Sequence, residues 1–210
     1  RILAMVPHIT MSSTRNEQLQ DRTVWAEVET NLANVGGVTG SAPYLQLEGM
    51  LLANGKSKGI VLNGVDPTAE KKLSIIEDFV LSGTFENLQD RSYQLLIGEA
   101  LANFLGVSVG DRVTLVSTDV PITPLGEFTR QKRFTVGGVF RVGSQLDTGL
   151  AIAHIADAQR VYRLGNTIHG LRLQVDDLFN VSDISRRIRT QVTDDYMISD
   201  WTREYGNIYE

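Results

Sequence analysis

The side chains that could carry out chemistry are few and far apart. The chain has three histidines, His8, His154 and His169, and no two of them stand four residues apart, the spacing that sets two imidazoles on one helix face over a metal. It has no cysteine, which removes thiolate nucleophiles, disulfides and zinc–thiolate sites together. Asp176-Asp177 and Asp194-Asp195 are adjacent carboxylates without the alternating ligands and central glycine of a calcium loop. They read as solvated turns whose charge favours a following helix N-terminus. Gly36-Gly-Val-Thr-Gly-Ser41 has the glycine content of a phosphate loop. A helix is expected before it and a strand after it, the reverse of the order that aims a helix N-terminus at phosphate, so it reads as a helix stop. No Gly-x-Ser-x-Gly elbow is present, and nothing in the pattern calls for an enzyme, a metal or a cofactor. Turnover abolished by one carboxylate substitution would be needed to revive a hydrolase or ligand-binding module.

The chemistry that remains is recognition, and it concentrates in Ser117–Phe134. This stretch lies between two predicted strands, Arg112–Val116 and Phe134–Phe140. It is far longer than an ordinary hairpin connection. It carries Pro121 and Pro124, two of the five prolines in the chain, which suit an extended, stiffened segment. Ile122, Leu125 and Phe128 are apolar residues that a projecting loop has little means to bury. Arg130-Gln-Lys-Arg133 follows, a basic cluster in a chain of net charge −5. As a charged strand edge it would discourage aggregation; beside an apolar projection it would steer an acidic partner. The position favours the second reading: a hook that grips another protein.

The elements that must position this hook follow from periodicity. Thr23–Val35 sets Val24, Val28, Leu32 and Val35 at helical spacing, with Thr23 as N-cap. A strand is expected over Ile2–Ser12, another over Val38–Leu52 with breaks near Pro43 and Gly49, and a return strand over Lys58–Gly64 after the turn signal Asn54-Gly55. The middle predicts a helix over Leu73–Gly83, a strand over Tyr93–Ile97, a helix over Glu99–Leu105 closed by Gly106, a strand over Gln145–Ala153 and a helix over Ile155–Leu164. The last third predicts a strand over Gly170–Val175, a helix lined by Val181, Ile184, Ile188 and Val192, and a strand over Tyr196–Trp201. Trp25, Phe104, Phe140, Tyr162 and Trp201 are expected in the core. The fold class is α+β, with β-α-β units at the two ends flanking a β-rich insertion. The expected division is 1–72, 73–166 with the hook at 117–133, and 167–210.

Length and composition agree with one domain or two small ones: 210 residues, 42% hydrophobic and 21% charged. No continuous apolar stretch is long enough to cross a bilayer, and the acidic balance argues against non-specific nucleic-acid binding. The chain starts at Arg1 within a strand-like segment and stops at Glu210 without a tail, so it is expected to be a piece of a longer protein.

Arg1-Ile-Leu-Ala-Met-Val-Pro-His8, Ala42-Pro-Tyr44, Gly64-Val-Asp-Pro67 and Leu105-Gly-Val-Ser-Val-Gly-Asp111 carry a resemblance. So do Ser144-Gln-Leu-Asp147, Ala156-Asp-Ala-Gln159, Asp177-Leu-Phe-Asn180, and Trp201 with Tyr205-Gly206. Together they resemble the periplasmic domain of lipoprotein-releasing ABC-transporter permeases, a branch of the MacB-like periplasmic core family, and lean to the LolE type. The resemblance implies a porter-like subdomain built from both chain ends and an inserted Sabre-like subdomain. It implies transmembrane helices beyond both ends, a second permease subunit, and a cytoplasmic ATPase, LolD, where ATP hydrolysis occurs. It implies lipoprotein substrates drawn from the inner membrane and passed to the periplasmic carrier LolA. Thr123-Pro-Leu-Gly126 resembles the proline-bearing hook of the LolC type. Gln131-Lys132 resembles part of its polar pad, while Thr114 stands where a basic pad residue is expected. The residues implied to bind the partner are Ile122, Thr123, Pro124, Leu125, Phe128, Gln131, Lys132 and Arg133. A LolE-like body with a LolC-like hook implies a hybrid permease of the LolF type. A coupling domain of a MacB-like exporter that contacts a neighbouring subunit or adaptor is the alternative.

Overall fold

Two kinds of local signal build the first elements of the chain, alternation in the strands and an Asx cap at the first helix. In the computed structural model the described residues are 8–14, 19–71, 73, 76–118, 122–123, 126–127, 129–193 and 195–200. β1 (Ile9–Ser13) alternates buried and half-buried side chains. A two-residue strand, β2 (Gln20–Asp21), leads into α1 (Arg22–Leu32). The cap of α1 is Asp21, whose carboxylate accepts from the Thr23 backbone N–H at 2.9 Å and from the Thr23 hydroxyl at 2.8 Å. Thr23 itself, the expected cap, is two residues too late. The buried face is Trp25, Val28 and Leu32, while Val24 is exposed; the indole displaces the valine because it fills more of the core.

β3 (Val38–Ala53) runs unbroken through Pro43 and Gly49. Pairing along its whole length overrides both residues, which read as breaks in isolation. Asn54 and Gly55 have φ of 50° and 74°, the left-handed pair that a tight hairpin turn requires, and they return the chain into β4 (Lys56–Val65). After α2 (Pro67–Glu70), the expected helix over Leu73–Gly83 is replaced. Ile76–Phe79 forms one 3₁₀ turn, and β5 (Val80–Gly83) pairs as a strand. β6 (Gln94–Gly98), α3 (Glu99–Leu105) and the left-handed Gly106 follow. Next come β7 (Arg112–Ser117), the two-residue strands β8 (Ile122–Thr123) and β9 (Gly126–Glu127), and β10 (Gln131–Phe140). Gln145–Ala153 is not one strand. The Asp147 carboxylate accepts from the backbone N–H of Val142 and Gly143, each at 2.8 Å, which folds the chain into α4 (Leu146–Gly149) before β11 (Leu150–His154). The chain ends with α5 (Ile155–Tyr162), β12 (Thr167–Ile168), β13 (Gly170–Val175), α6 (Val181–Gln191) and β14 (Tyr196–Asp200).

These elements form two units. The first combines Arg1–Leu45, Thr68–Ile75 and Asn166–Glu210. Its strands run β14-β1-β13-β3, all antiparallel. Its core holds Ile9, Met11, Leu171 and Leu173 with Trp25 and Ile184, none measurably exposed. Arg172 on β13 pairs with the buried Glu70, which ties the short middle segment into this unit. The second unit is Gln46–Pro67 with Ile76–Gly165. Gln46–Pro67 therefore leaves the N-terminal third to which the sequence division assigned it, because the Asn54-Gly55 hairpin carries β4 into parallel pairing with β11. Within this unit the C-terminal part of β3, then β4, β11, β6, β10, β7 and β3 again form a closed ring of six strands. Closure leaves no free edge among those strands. Leu51, Leu62, Leu95, Ile97, Leu115, Phe134 and Val136 fill its interior. Phe104 lies outside this core, 46% exposed, with the Lys56 and Lys58 ammonium groups each 5.6 Å from its ring centroid. Trp201 lies outside the described residues.

One histidine in the first unit links folding to pH. The His8 imidazole is half-buried and its Nδ1 accepts from the Val175 N–H at 3.0 Å. Burial lowers its pKa below the usual 6.5. A lowered folded pKa means that neutral His8 contributes stability that is complete above the unfolded pKa and is lost as pH falls through the folded value. Thermal melts between pH 7.5 and 5 should therefore fall more steeply for the wild type than for His8→Gln. Parallel slopes would remove His8 as the source.

Candidate functional site

The connection expected to form the hook belongs to the second unit, where β7 and β10 pair antiparallel from Gln131 opposite Val116 to Thr135 opposite Arg112. The Ser117 N–H donates to the Arg130 carbonyl at 2.8 Å and closes the base of the connection. Inside it, β8 and β9 form their own short ladder, Ile122 opposite Glu127 and Thr123 opposite Gly126. The backbone of Ile122 and Thr123 is thus part of a hairpin. Pro124, Leu125 and Phe128 lie outside the described residues, as does Pro121. Arg130 belongs to the base: its guanidinium donates to the Tyr162 carbonyl at the end of α5, where a cation suits the negative end of a helix. The Tyr162 hydroxyl in turn donates to the Glu48 carbonyl at 2.8 Å.

The remaining basic-cluster residues do not share a face. Successive strand residues point to opposite sides, and Val113, Leu115 and Phe134 are buried inside the ring. Gln131 and Arg133 consequently face outward, opposite Val116 and Thr114, with Arg112 diagonal to Arg133 on the same surface. Across β7, Met50 is opposite Val116 and Leu52 opposite Thr114, and Leu52 is 37% exposed. This outer surface combines apolar Met50, Leu52 and Val116 with polar Gln131, Arg133 and Arg112. Lys132 points to the other side, toward the ring interior. Because it sits at the end of the strand it stays exposed, and its ammonium lies 4.2 Å from the Tyr93 ring centroid.

Tyr93 is the residue that the sequence reading missed. It precedes β6 in a loop with two left-handed non-glycine residues, Arg91 at φ 63° and Tyr93 at φ 48°. An aromatic residue at positive φ is strained. The strain is held by Asp157, which is fully buried at the start of α5. Its two carboxylate oxygens accept from the Arg91 N–H at 2.8 Å and the Tyr93 N–H at 2.9 Å, and Arg160 donates to it at 2.7 Å. Arg160 also pairs with Asp90. That bond holds the Asp90 carboxyl below the usual carboxylate range and raises Arg160, with a smaller contribution to Arg160 from Tyr93. The Tyr93 ring meets Phe134 edge-on, 5.7 Å between centroids and 76° between planes. No single-sequence pattern signals such a loop, because its conformation is dictated by a carboxylate 64 residues away from Tyr93.

The scattered groups weighed for catalysis each have a local role. His154 caps α5 by accepting from the Ala156 N–H at 3.1 Å, and His169 lies 6.0 Å from the Tyr44 ring. Asp177 caps a 3₁₀ turn through the Phe179 N–H, and Asp194 lies outside the described residues. Gly36-Gly37 follows the helix end, with Gly37 at φ 100°. Among the described residues, no group of three His, Asp or Glu side chains is placed to hold a metal.

Comparison with known proteins gives a consistent kinship. The model of the MacB-like periplasmic core domain matches residues 3–191. The chain is 34% identical over its full length to the lipoprotein-releasing system transmembrane protein LolC of Xylella fastidiosa, of which it covers 49%. It is 30% identical to LolC of Neisseria meningitidis and 27% identical to LolE of Haemophilus influenzae, covering all of this chain and 50% of each relative. The chain thus spans about half the length of the curated relatives it matches. The crystal structure of the periplasmic region of MacB from Actinobacillus actinomycetemcomitans has the same fold, with a TM-score of 0.60 at 12% identity, covering 100% of this chain and 96% of that one.

The clamp around Asp157 is directly testable. A buried backbone donor left unsatisfied costs about 1–3 kcal/mol, so Asp157→Ala, which takes the acceptor from the Arg91 and Tyr93 N–H groups, should lower stability by roughly that amount per donor in urea titration. It should also raise amide hydrogen exchange at Arg91 and Tyr93 above that of the neighbouring strand. Exchange unchanged at those two amides would show that the carboxylate does not hold the loop.

Proposed function

The chain belongs to the MacB-like periplasmic core domain family, and from that premise we propose that its projection between Ser117 and Arg130 docks a soluble lipoprotein carrier for a lipoprotein-releasing permease. The chain is a periplasmic domain of a LolC/LolE-type permease in the inner membrane. The carrier is LolA, the substrates are lipoproteins leaving the inner membrane, and ATP is hydrolysed by a separate cytoplasmic subunit, LolD. The first unit is the porter-like subdomain and the second the Sabre-like one. LolC of Xylella fastidiosa and of Neisseria meningitidis are more identical to the chain than LolE of Haemophilus influenzae is, whereas in Haemophilus influenzae LolE matches all of the chain and LolC 75% of it. The relatives therefore support both types, the proline-bearing hook belonging by resemblance to LolC and the short motifs leaning to LolE. A self-pairing permease of the LolF type would combine both roles in one chain.

The observation that supports docking is the base of the hook. A long apolar connection gains a defined direction only if its two ends are fixed, and here they are fixed by the Ser117–Arg130 backbone bond and the Arg130–Tyr162 anchor. A rigid base lowers the ordering cost that a flexible loop would incur on binding. Ile122, Thr123, Pro124, Leu125 and Phe128 then supply the apolar contacts, while Gln131 and Arg133 on the outer face and Lys132 at the ring mouth orient and steer. Hot-spot residues of this kind contribute about 2 kcal/mol or more each, roughly 30-fold in affinity. Pro124→Asp or Phe128→Asp should abolish carrier binding in a calorimetric titration while leaving the thermal melt unchanged. Wild-type affinity in either variant would remove the hook from this role.

A coupling domain of a MacB-like exporter is the second reading, favoured by the full-length match to the MacB periplasmic region. Cross-links from Thr123 to another permease subunit or an adaptor, with none to the carrier, would select it.

A further inference from the structure

Resting on the docking role of the hook, we propose that Tyr93 is a positioning residue of the same site: its ring, locked in place by the buried Asp157 clamp, holds the Lys132 ammonium toward a carboxylate of the carrier. Three independent observations converge on it. The first is conformational. Arg91 and Tyr93 both have positive φ within three residues, and such strain persists only where surrounding structure over-determines it. The second is the clamp that does so, Asp157 with its two backbone bonds and its Arg160 partner. The third is the contact itself. Lys132 is exposed and long enough to sample many rotamers, yet its ammonium sits over the ring at 4.2 Å, within reach of the ring quadrupole.

The geometry gives Lys132 a task distinct from that of its neighbours. Gln131 and Arg133 are on the outer face, whereas Lys132 is on the side of Phe134, whose ring meets Tyr93 edge-on. Without the Tyr93 ring, Lys132 would be an unrestrained charge at the mouth of the ring, and orienting it would cost rotamer freedom on binding. With the ring in place, that freedom is restricted before the partner arrives. The nearest acidic group of the same loop, Asp90, is already paired with Arg160. The ammonium is therefore left to an incoming carboxylate, in a chain whose surface is otherwise acidic on balance.

An exposed cation–π contact has the strength to change affinity by about two- to five-fold. The test uses the 210-residue chain with Tyr93→Phe, Tyr93→Leu, Tyr93→Ala and Lys132→Ala, and a Tyr93→Leu/Lys132→Ala double variant. Two readouts are needed. In the free chain, the Lys132 ε-methylene protons should show an upfield ring-current shift by NMR that is kept in Tyr93→Phe and lost in Tyr93→Leu and Tyr93→Ala. In carrier titrations, Tyr93→Leu and Lys132→Ala should each weaken binding two- to five-fold, the double variant should be no weaker than either single one, and Tyr93→Phe should bind as wild type. Wild-type affinity in Tyr93→Leu overturns the proposal, and so do losses that multiply in the double variant or a Lys132 shift absent from the wild type. If the wild-type chain binds no carrier, the docking reading falls, and the free-chain shift alone judges whether Tyr93 positions Lys132.

Discussion

β10 has two backbone edges and three partners, and the order in which it meets them fixes the second unit. One edge pairs in parallel with β6 from Thr135 to Phe140. The other pairs with β7 from Gln131 to Thr135 and with β5 from Gly138 to Phe140. The change of partner falls at Gly137-Gly138, where the β6 register also shifts. On β5, opposite that point, Gly83 has no room for a side chain: a Cβ on it would sit 2.1 Å from the Gly137 carbonyl oxygen. The exchange of partner lets one strand close the six-stranded ring through its first five residues and carry β5 along its last three.

The short motifs that resemble lipoprotein-releasing permeases mostly serve this scaffold. In Leu105–Asp111, the Asp111 carboxylate accepts from the Ser108 N–H at 2.9 Å, and Gly110 and Asp111 exchange backbone bonds with Val136 on β10. Asp147 closes the turn after β10, and Asp157 locks the loop before β6. Each is a carboxylate satisfying backbone donors that a tight turn would otherwise leave unpaired, which costs about 1–3 kcal/mol per buried group. A set of residues can therefore identify a family while contributing to its function only through the shape it enforces.

The basic run Arg130–Arg133 gains its order by the same means. Arg130 looks like part of a steering charge in the sequence, yet its partner is the end of α5. Lys132 looks equivalent to Arg133, yet strand alternation sends them to opposite sides. A contiguous basic run takes three placements: one cation at a helix end, one on the outer face and one over an aromatic ring.

Period and punctuation in the sequence determined the α+β class and most of the helices and strands, because Asn54-Gly55, Gly106 and the apolar spacing of α6 act through neighbours a few residues away. The length and apolar character of the 117–133 connection were legible for the same reason: a strand-to-strand gap is visible in one dimension. Tertiary structure decided what depends on distant partners. Val80–Gly83 is a strand because β10 offers it an edge, Trp25 displaces Val24 because the core has room for an indole, and Phe104 is outside because α3 turns it toward two lysines. The conformation of Tyr93 belongs to this second class as well. Its φ is set by a carboxylate on another element, and no local preference of Arg-Ser-Tyr could have announced it.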